Sequence, residues 1–148
     1  MKTKETYTEM RDRHQKEWND FPMFFAFNDS QFAEGMKKLG LKPSATKKIY
    51  KLGSSGGFYR KSDATALREM IDRHHAEEEA AIAADIDGTG FAYDMFYYEL
   101  GNHEYCVTYD VGDALDALGY TVDDLNSNKQ LLKAFLNAEK QYRIDTNM

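Results

Sequence analysis

The sequence predicts an α+β fold in which several helices pack on a small antiparallel sheet or hairpin. Several segments repeat their apolar residues at intervals of three and four, which is the period of an amphipathic helix. Two short β-prone runs flank a glycine-rich loop, Gly53–Gly57, as the strands of a hairpin do. The chain has 148 residues, which suffice for one hydrophobic core, so we predict a single compact domain spanning residues 1–148.

The first forty residues are predicted to form two helices joined by an extended segment. Thr8–Asn19 has a thin apolar stripe at spacing four, so residues 1–20 are assigned as a peripheral N-terminal helix. The run Phe21–Phe27 is too apolar for a surface and too short for a buried helix, which predicts a buried strand or extended segment. The segment Asn28-Asp29-Ser30 then supplies caps for a helix over Gln31–Leu39.

The middle of the chain is predicted to hold the hairpin and the longest helix. Lys47–Leu52 and Phe58–Lys61 are the two strands of the hairpin. A helix follows over Asp63–Ala84, because its apolar residues recur at helical spacing. The segment Asp85–Gly90 ends this helix, since it combines two glycines with small polar residues.

The C-terminal part is predicted to contain short helices and one strand. Phe91–Leu100 and Asp113–Leu118 have helical spacing, whereas Glu104–Tyr109 alternates β-prone with other residues and is predicted as a strand. Thr121–Asp124 resembles a capping box that opens another turn. A final helix begins after Asn128 and extends to about residue 143.

The distribution of charge is the strongest signal in the sequence. The net charge is −6, yet residues 1–62 contain 13 Lys/Arg and 7 Asp/Glu, while residues 63–148 contain 6 and 18. Between Arg73 and Lys129 there is no lysine or arginine over 55 residues. Because an ordinary solvated surface mixes both signs, this segregation favours a role in binding. The 13 acids of this stretch are Glu77, Glu78, Glu79, Asp85, Asp87, Asp94, Glu99, Glu104, Asp110, Asp113, Asp116, Asp123 and Asp124.

The composition excludes several classes of protein. The longest apolar run, Phe21–Phe27, cannot span a bilayer, so no membrane association is expected. The charged first residues do not form the apolar core of a secretory signal. The single cysteine, Cys106, excludes an internal disulfide and suits a reducing compartment, so we expect a soluble cytoplasmic protein.

The segment Asp85–Thr89 resembles the first motif of haloacid-dehalogenase-type phosphatases, in which the first aspartate is the nucleophile. That motif requires a parallel strand before it and alternating βα units around it, and neither is predicted in this chain. The same residues half-match a calcium-binding EF-hand loop, but Phe96 stands where the loop needs a bidentate glutamate. A polar turn that ends a helix is the favoured interpretation.

Two groups of side chains have the chemistry of metal ligands without the spacing of a metal site. They lie in His74–Glu78 and His103–Cys106, and neither matches a zinc pattern, because adjacent residues on a helix point apart. His74 lies on an apolar stripe and is predicted to be a hydrogen-bonded core histidine. Cys106 lies among acids, which raise the pKa of a thiol, so it is predicted to pack rather than to react. We therefore expect no metal, no cofactor and no enzymatic activity.

The predicted hairpin combines cations with aromatic side chains, which is the composition of a nucleic-acid-binding surface. A phosphate-binding P-loop is excluded, because Phe58 and Tyr59 continue a strand where that loop requires a lysine and a helix. A solvated hairpin with half-buried aromatic residues is the favoured interpretation, and nucleic-acid binding by residues 47–61 is the alternative. The candidate contacts for this alternative are Lys48, Lys51, Arg60 and Lys61.

The acidic stretch predicts a protein-binding surface that mimics the phosphates of DNA or RNA. Many carboxylates without neighbouring cations repel one another, which lowers stability and suggests a compensating use. A partner with a basic groove for nucleic acid would neutralise them. Tyrosines in the same stretch suit the role of interface anchors. The predicted partner contacts are the acids Glu99, Glu104, Asp110, Asp113, Asp116, Asp123 and Asp124, with Tyr97 and Tyr109 as anchors.

Three segments, 24–32, 56–61 and 97–105, together resemble a group of short uncharacterised proteins from plasmids, phages and other mobile genetic elements of gut bacteria. Their sequences here are FFAFNDSQF, GGFYRK and YYELGNHEY. The group supplies no catalytic residues. The resemblance implies a context in which small acidic proteins inhibit host defence nucleases, as anti-CRISPR and anti-restriction proteins do.

These observations lead to one main hypothesis and several alternatives. The protein is predicted to be a non-enzymatic inhibitor that places its acidic half in the groove of a basic nucleic-acid-binding protein, with a CRISPR nuclease as the concrete target. Direct nucleic-acid binding is not expected, because the net charge of −6 opposes a polyanion. The alternatives are a nucleic-acid-binding module that uses the basic hairpin, a mobile-element protein with another role and, least favoured, a small metal-dependent enzyme.

Overall fold

The computed structural model describes residues 4–148 and confirms the predicted α+β class. Its helices are α1 (Tyr7–Asp20), α2 (Asp29–Lys38), α3 (Ala64–Ala84), α4 (Phe91–Asn102), α5 (Tyr105–Thr108), α6 (Gly112–Leu118), α7 (Val122–Asn126) and α8 (Lys129–Asp145). Its strands are β1 (Met23–Phe25), β2 (Ile49–Leu52) and β3 (Gly57–Arg60). Among the residues described, every helix is too short or too polar to cross a membrane.

The chain divides into two compact units. The helical unit consists of the residues up to Gln15 together with Ala76–Met148, and the sheet unit consists of Lys16–His75. The predicted N-terminal helix is confirmed as α1, which buries Met10 and His14. That residues 1–148 form one domain stays a prediction.

The sheet unit contains a three-stranded antiparallel sheet with the strand order β1-β3-β2. The predicted hairpin is confirmed, since β2 and β3 pair along their full length. Phe24 of β1 and Phe58 of β3 are cross-strand partners, and their rings stack with centroids 5.3 Å apart. Helix α2 covers this face with Phe32 and Met36. The predicted cap of α2 is also present, because the side chain of Asn28 accepts a hydrogen bond from the third residue of the turn.

Gly35 allows α2 to approach the sheet closely. A Cβ atom at this position would lie 2.0 Å from Cδ2 of Phe24, well inside van der Waals contact. We expect Gly35→Ala to lower the free energy of unfolding by about 1–3 kcal/mol in urea denaturation, although alanine is the better helix former. The matched control is Gly101→Ala in α4, where the nearest atom would be 3.6 Å away. If both variants were more stable than the parent, the contact between α2 and β1 would not be tightly packed.

The core of the helical unit lies between α4 and α8. Phe96 packs edge-on against Phe135 with ring centroids 5.3 Å apart. Leu115 of α6 and Leu125 of α7 complete this cluster, so the short helices cover one end of the long ones. The predicted capping box is confirmed at the start of α7, and Asn128 caps α8 as predicted. Each cap fixes the residue at which its helix begins, in a part of the chain where short helices follow one another closely.

The predicted strand at Glu104–Tyr109 is wrong, because these residues form the helical turn α5. Glu104 and Tyr109 flank this turn in the left-handed conformation, with φ of 53° and 57°. The alternation of β-prone residues does not correspond to two faces, since Tyr105 is buried while Val107 and Tyr109 are both exposed. In the part of the chain that the structure describes, all strand pairing lies within the sheet unit, so this segment has no neighbouring strand.

Candidate protein-binding surface

The structure exposes six of the seven acids predicted to contact a partner. They lie on or beside three consecutive short helices, α5, α6 and α7, within the helical unit. We call this set the acidic surface: Glu104, Asp110, Asp113, Asp116, Asp123 and Asp124.

The six carboxylates differ in what they bind locally. Asp110 accepts a hydrogen bond from the backbone N–H of Gly112 at 2.7 Å, and Asp124 accepts one from that of Thr121 at 2.8 Å. The other four carboxylates accept no hydrogen bond from any residue that the structure describes. No lysine, arginine or histidine nitrogen in residues 4–148 lies within 4.0 Å of any of the six. None of the six carboxylates therefore forms an ion pair with a side chain in residues 4–148.

Helix termini account for part of this acidity. Asp113 lies in the first turn of α6, and Asp123 and Asp124 lie in the first turn of α7. Negative side chains at these positions interact favourably with the N-terminal end of the helix dipole, by about 0.3–1 kcal/mol each. Glu104 and Asp116 have no such role, because neither lies in the first turn of a helix. Local structure thus leaves the complete absence of compensating cations unexplained.

Exposed apolar side chains accompany the acids. Val107 is 70% exposed, Tyr109 is 67% exposed and Val122 is 59% exposed. A large apolar side chain among charges is typical of an interface anchor, which gains affinity when a partner covers it. Tyr109 and Glu104 also adopt left-handed backbone conformations that cost a non-glycine residue about 1–2 kcal/mol. Such strain is most often found at functional sites, which favours a role for this turn.

The prediction that Glu99 contacts a partner is wrong, because the structure buries this residue and leaves only 4% of it exposed. Its Oε1 accepts a hydrogen bond from the hydroxyl of Tyr7 at 2.9 Å, and its Oε2 lies 3.2 Å from Nε2 of His103. Burial, and then the nearby Glu99 carboxylate, raise the pKa of Tyr7 well above its usual value. The sequence holds a signal for this, since Phe91, Met95 and Glu99 follow one another at spacing four on the buried side of α4.

Tyr97, the other predicted anchor, is half-buried and makes contacts within the helical unit. Its hydroxyl donates to Oδ2 of Asp145 at 2.6 Å. This hydrogen bond, together with partial burial, raises the pKa of Tyr97 to about 12. The ring packs edge-on against Tyr142 with centroids 5.6 Å apart and stacks on Tyr93 at 6.0 Å. Tyr97 therefore links α4 to α8, and its role as a partner anchor stays a prediction.

The carboxylate of Asp85 forms the cap of α4. Its Oδ1 accepts the backbone N–H groups of Thr89 and Gly90, both at 3.0 Å. Its Oδ2 accepts those of Ala92 at 2.9 Å and Tyr93 at 3.1 Å. Each oxygen already accepts two backbone N–H groups. A cation would have to displace these amides to reach the carboxylate, and a phosphate would have to replace the carboxylate as their acceptor. The interpretation of this segment as a polar turn that ends a helix is confirmed.

The histidines and the cysteine have mainly structural environments. His74 is buried, and its Nε2 lies 2.5 Å from Oε2 of Glu17, so the predicted core histidine is confirmed. Arg73 also donates to Glu17, and these two interactions, Arg73 first, lower the pKa of that carboxyl. Cys106 is half-buried and packs against the cluster around Leu100, as predicted.

Of the four basic side chains proposed for the hairpin, Arg60 is half-buried and the three lysines are exposed. The guanidinium of Arg60 is engaged, since its Nε donates to Oδ2 of Asp63 at 2.8 Å and its Nη1 donates to a backbone carbonyl. Lys61 places its Nζ 4.9 Å from the ring centroid of Tyr50, within the range of a cation–π interaction. The remaining two are exposed: Lys48 and Lys51.

A cavity of about 560 Å³ opens beside the Asp85 turn in the helical unit. Its walls include the apolar side chains of Met10 and Phe91 and the carboxyl group of Asp94. Burial, and then the charge of Asp85, raise the pKa of Asp94. The cavity mixes apolar walls with acids and lies apart in sequence from the acidic surface.

The chain belongs to a family of unknown function, DUF7659, whose model matches residues 6–141. No curated protein and no solved structure matches it. The family has no described activity to transfer, so the role of the acidic surface has to be argued from its residues. The resemblance to proteins of mobile elements stays a prediction.

Proposed function

We propose that the protein is a non-enzymatic binding module whose acidic surface contacts a basic, nucleic-acid-binding protein. The observation that carries the proposal is a set of six exposed carboxylates on or beside α5–α7 with no cation within 4.0 Å of them in residues 4–148, accompanied by exposed Tyr109. Opposite charges across an interface orient the partners and raise the rate of association. The same carboxylates repel DNA and RNA, which leaves a protein as the natural partner.

The charge of the helical unit supports this proposal. Its residues include 8 Lys/Arg and 18 Asp/Glu, a net charge of −10, although the whole chain carries only −6. A field of this size extends about one Debye length, roughly 8 Å at physiological salt. A groove that holds a phosphate backbone has the opposite field over similar distances, so the acidic surface is complementary to it.

Affinity requires contacts beyond charge. Exposed ion pairs contribute only about 0–1 kcal/mol each, whereas buried aromatic anchors contribute more. Tyr109 and Val107 can serve as anchors, because both are exposed and both lie at the turn α5, which Glu104 precedes. In this proposal the acids select the partner, and the turn around α5 supplies much of the binding energy. A host defence nuclease, such as a CRISPR nuclease, is the target that we propose on the strength of the sequence resemblance.

The experiment is capture of partners by immobilised protein from a nuclease-treated bacterial lysate, followed by elution with rising salt. We expect a basic nucleic-acid-binding protein to be retained at low salt and released as the ionic strength approaches physiological values or above. Retention of proteins without a basic groove, or release that does not depend on salt, would contradict the proposal. Nuclease treatment ensures that the capture does not run through bridging DNA or RNA.

A further inference from the structure

The sheet of the sheet unit has one covered face and one open face. Phe24 and Phe58 point to the face that α2 covers, so the neighbouring residues on each strand point the other way. On this second face Tyr59 pairs with Tyr50 of β2, and their ring centroids lie 5.9 Å apart. Tyr50 is 47% exposed, and Phe25 of β1 is 52% exposed. Aromatic side chains therefore line a sheet surface that is open to solvent.

Two glycines allow further rings to lie against this surface. A Cβ atom on Gly57 would lie 3.0 Å from Cε1 of Phe25, and one on Gly56 would lie 2.5 Å from Cε1 of Phe27. Gly56 also has a φ of 83°, a backbone conformation that residues with a side chain rarely adopt. Phe27 is 78% exposed although its ring contacts the backbone of the hairpin loop. Phe25 thus shares the open face with the tyrosines, and the exposed ring of Phe27 lies against the hairpin loop next to it.

Cations are concentrated in the part of the chain that carries the hairpin, and Lys61 places its Nζ 4.9 Å from the ring centroid of Tyr50. From Gly35 to Ser62 the chain contains eight Lys/Arg and no Asp/Glu. The sheet unit as a whole contains 11 Lys/Arg and 7 Asp/Glu, a net charge of +4. All of the eight except Arg60 are exposed: Lys37, Lys38, Lys42, Lys47, Lys48, Lys51 and Lys61.

We infer that the open face of the sheet, with Phe25, Phe27 and Tyr50 as stacking rings, binds single-stranded nucleic acid. Unpaired bases stack on aromatic side chains, and nearby lysines bind the phosphates, which is the usual chemistry of single-strand binding. A duplex hides its bases from such rings, so single strands are favoured. An acidic peptide would use the lysines but has no need of several exposed rings on one sheet face.

This inference goes beyond the proposed function and rests on different residues. The whole-chain charge of −6 led to the expectation that no nucleic acid binds, but the charge is divided between the two units. The sheet unit is positive, and the acidic surface lies entirely in the helical unit. Success or failure of one proposal therefore leaves the other unaffected.

The experiment measures fluorescence anisotropy of a labelled oligothymidylate of about 12 nucleotides with the full chain. We expect saturable binding that is stronger than for a duplex of the same length. Phe25→Ala combined with Tyr50→Ala should weaken binding about tenfold or more, because each lost ring removes one stacking contact. The matched control, Leu136→Ala with Ile144→Ala, removes two exposed apolar side chains from α8 and should leave binding unchanged.

A charge variant completes the test. Lys48→Ser combined with Lys61→Ser should weaken binding and reduce its salt dependence, because Lys61 lies against the ring of Tyr50. Lys133→Ser with Lys140→Ser on α8 should have a smaller effect. All these side chains are exposed, and thermal melting checks that each variant folds. The inference is overturned if the parent protein does not bind the oligonucleotide at low salt. It is also overturned if the double aromatic variant binds as tightly as the parent, or if duplex and single strand bind equally.

Discussion

Replacing Asp85 with alanine is expected to lower the free energy of unfolding by about 3 kcal/mol or more. The change leaves four backbone N–H groups at the start of α4 without their acceptor. A buried donor that loses its partner costs about 1–3 kcal/mol, and partial exposure of the loop lets water replace some of these bonds. Urea denaturation measures the loss directly, because the midpoint falls while the slope stays constant.

Two related variants separate capping from other roles of this loop. Asp85→Asn keeps one acceptor oxygen, so we expect a loss between those of the parent and the alanine variant. Asp87→Ala removes a neighbouring exposed carboxylate and should change stability by no more than about 0.5 kcal/mol. Equal effects of Asp85→Ala and Asp87→Ala would contradict the capping role. Saturable stabilisation of the parent protein by micromolar Ca²⁺, lost in Asp85→Asn, would show instead that the loop binds a cation.

Reversing three charges of the acidic surface is expected to weaken binding of the captured partner about 100-fold. The variant is Asp113→Lys, Asp116→Lys and Asp123→Lys, whose carboxylates accept no hydrogen bond from the described part of the chain. About 1 kcal/mol per reversal gives about 3 kcal/mol in total, which corresponds to this factor. Asp110 and Asp124 are left in place, because they hydrogen-bond the backbone and their loss would disturb the fold.

The matched control changes the net charge by the same amount elsewhere. Asp12→Lys, Glu34→Lys and Glu69→Lys reverse three exposed acids that lie outside the acidic surface. We expect this control to weaken binding less than tenfold, through the long-range field alone. Titration calorimetry or surface plasmon resonance with the purified partner compares the two variants. Equal losses would mean that total charge, and not the acidic surface, determines binding.

Local signals in the sequence were sufficient for much of the fold. Asn28, Thr121 and Asn128 were predicted as caps and act as caps, because a cap bonds to an amide only a few residues away. The hairpin was predicted for the same reason, since its strands are joined by a short loop. The long helices followed from apolar periodicity alone.

The sequence-based predictions were wrong where residues distant in sequence determine the local structure or the burial of a side chain. The alternation in Glu104–Tyr109 suits a strand, yet a strand needs a neighbour, and within residues 4–148 the pairing strands all lie in the sheet unit. Glu99 was predicted on the surface because it is charged, but the hydroxyl of Tyr7, far away in sequence, provides a partner for its buried carboxylate. The spacing of residues along α4 indicates that Glu99 is buried, but it does not identify Tyr7 as its partner. The sequence near Glu104–Tyr109 does not show whether a pairing strand is present.

The separation of charge between the two units was also only partly visible. The sequence shows a basic first part and an acidic second part, but the residues up to Gln15 group with the acidic C-terminal part. The open aromatic face was missed as well, because Phe25 and Phe27 are apolar and suited a buried strand. Register along the three strands, not composition, determines which rings are exposed.

The central claim is that the acidic surface occupies a groove that otherwise holds nucleic acid. The most direct test measures the affinity of the Phe25→Ala, Tyr50→Ala variant, whose sheet face has lost its stacking rings, for the purified partner. Duplex DNA or RNA that the partner binds is added in increasing amounts. We predict competition, in which the apparent affinity falls in proportion to added nucleic acid and the residual affinity declines further with salt. A ternary complex in which the protein binds with unchanged affinity to the partner already saturated with nucleic acid would contradict the claim.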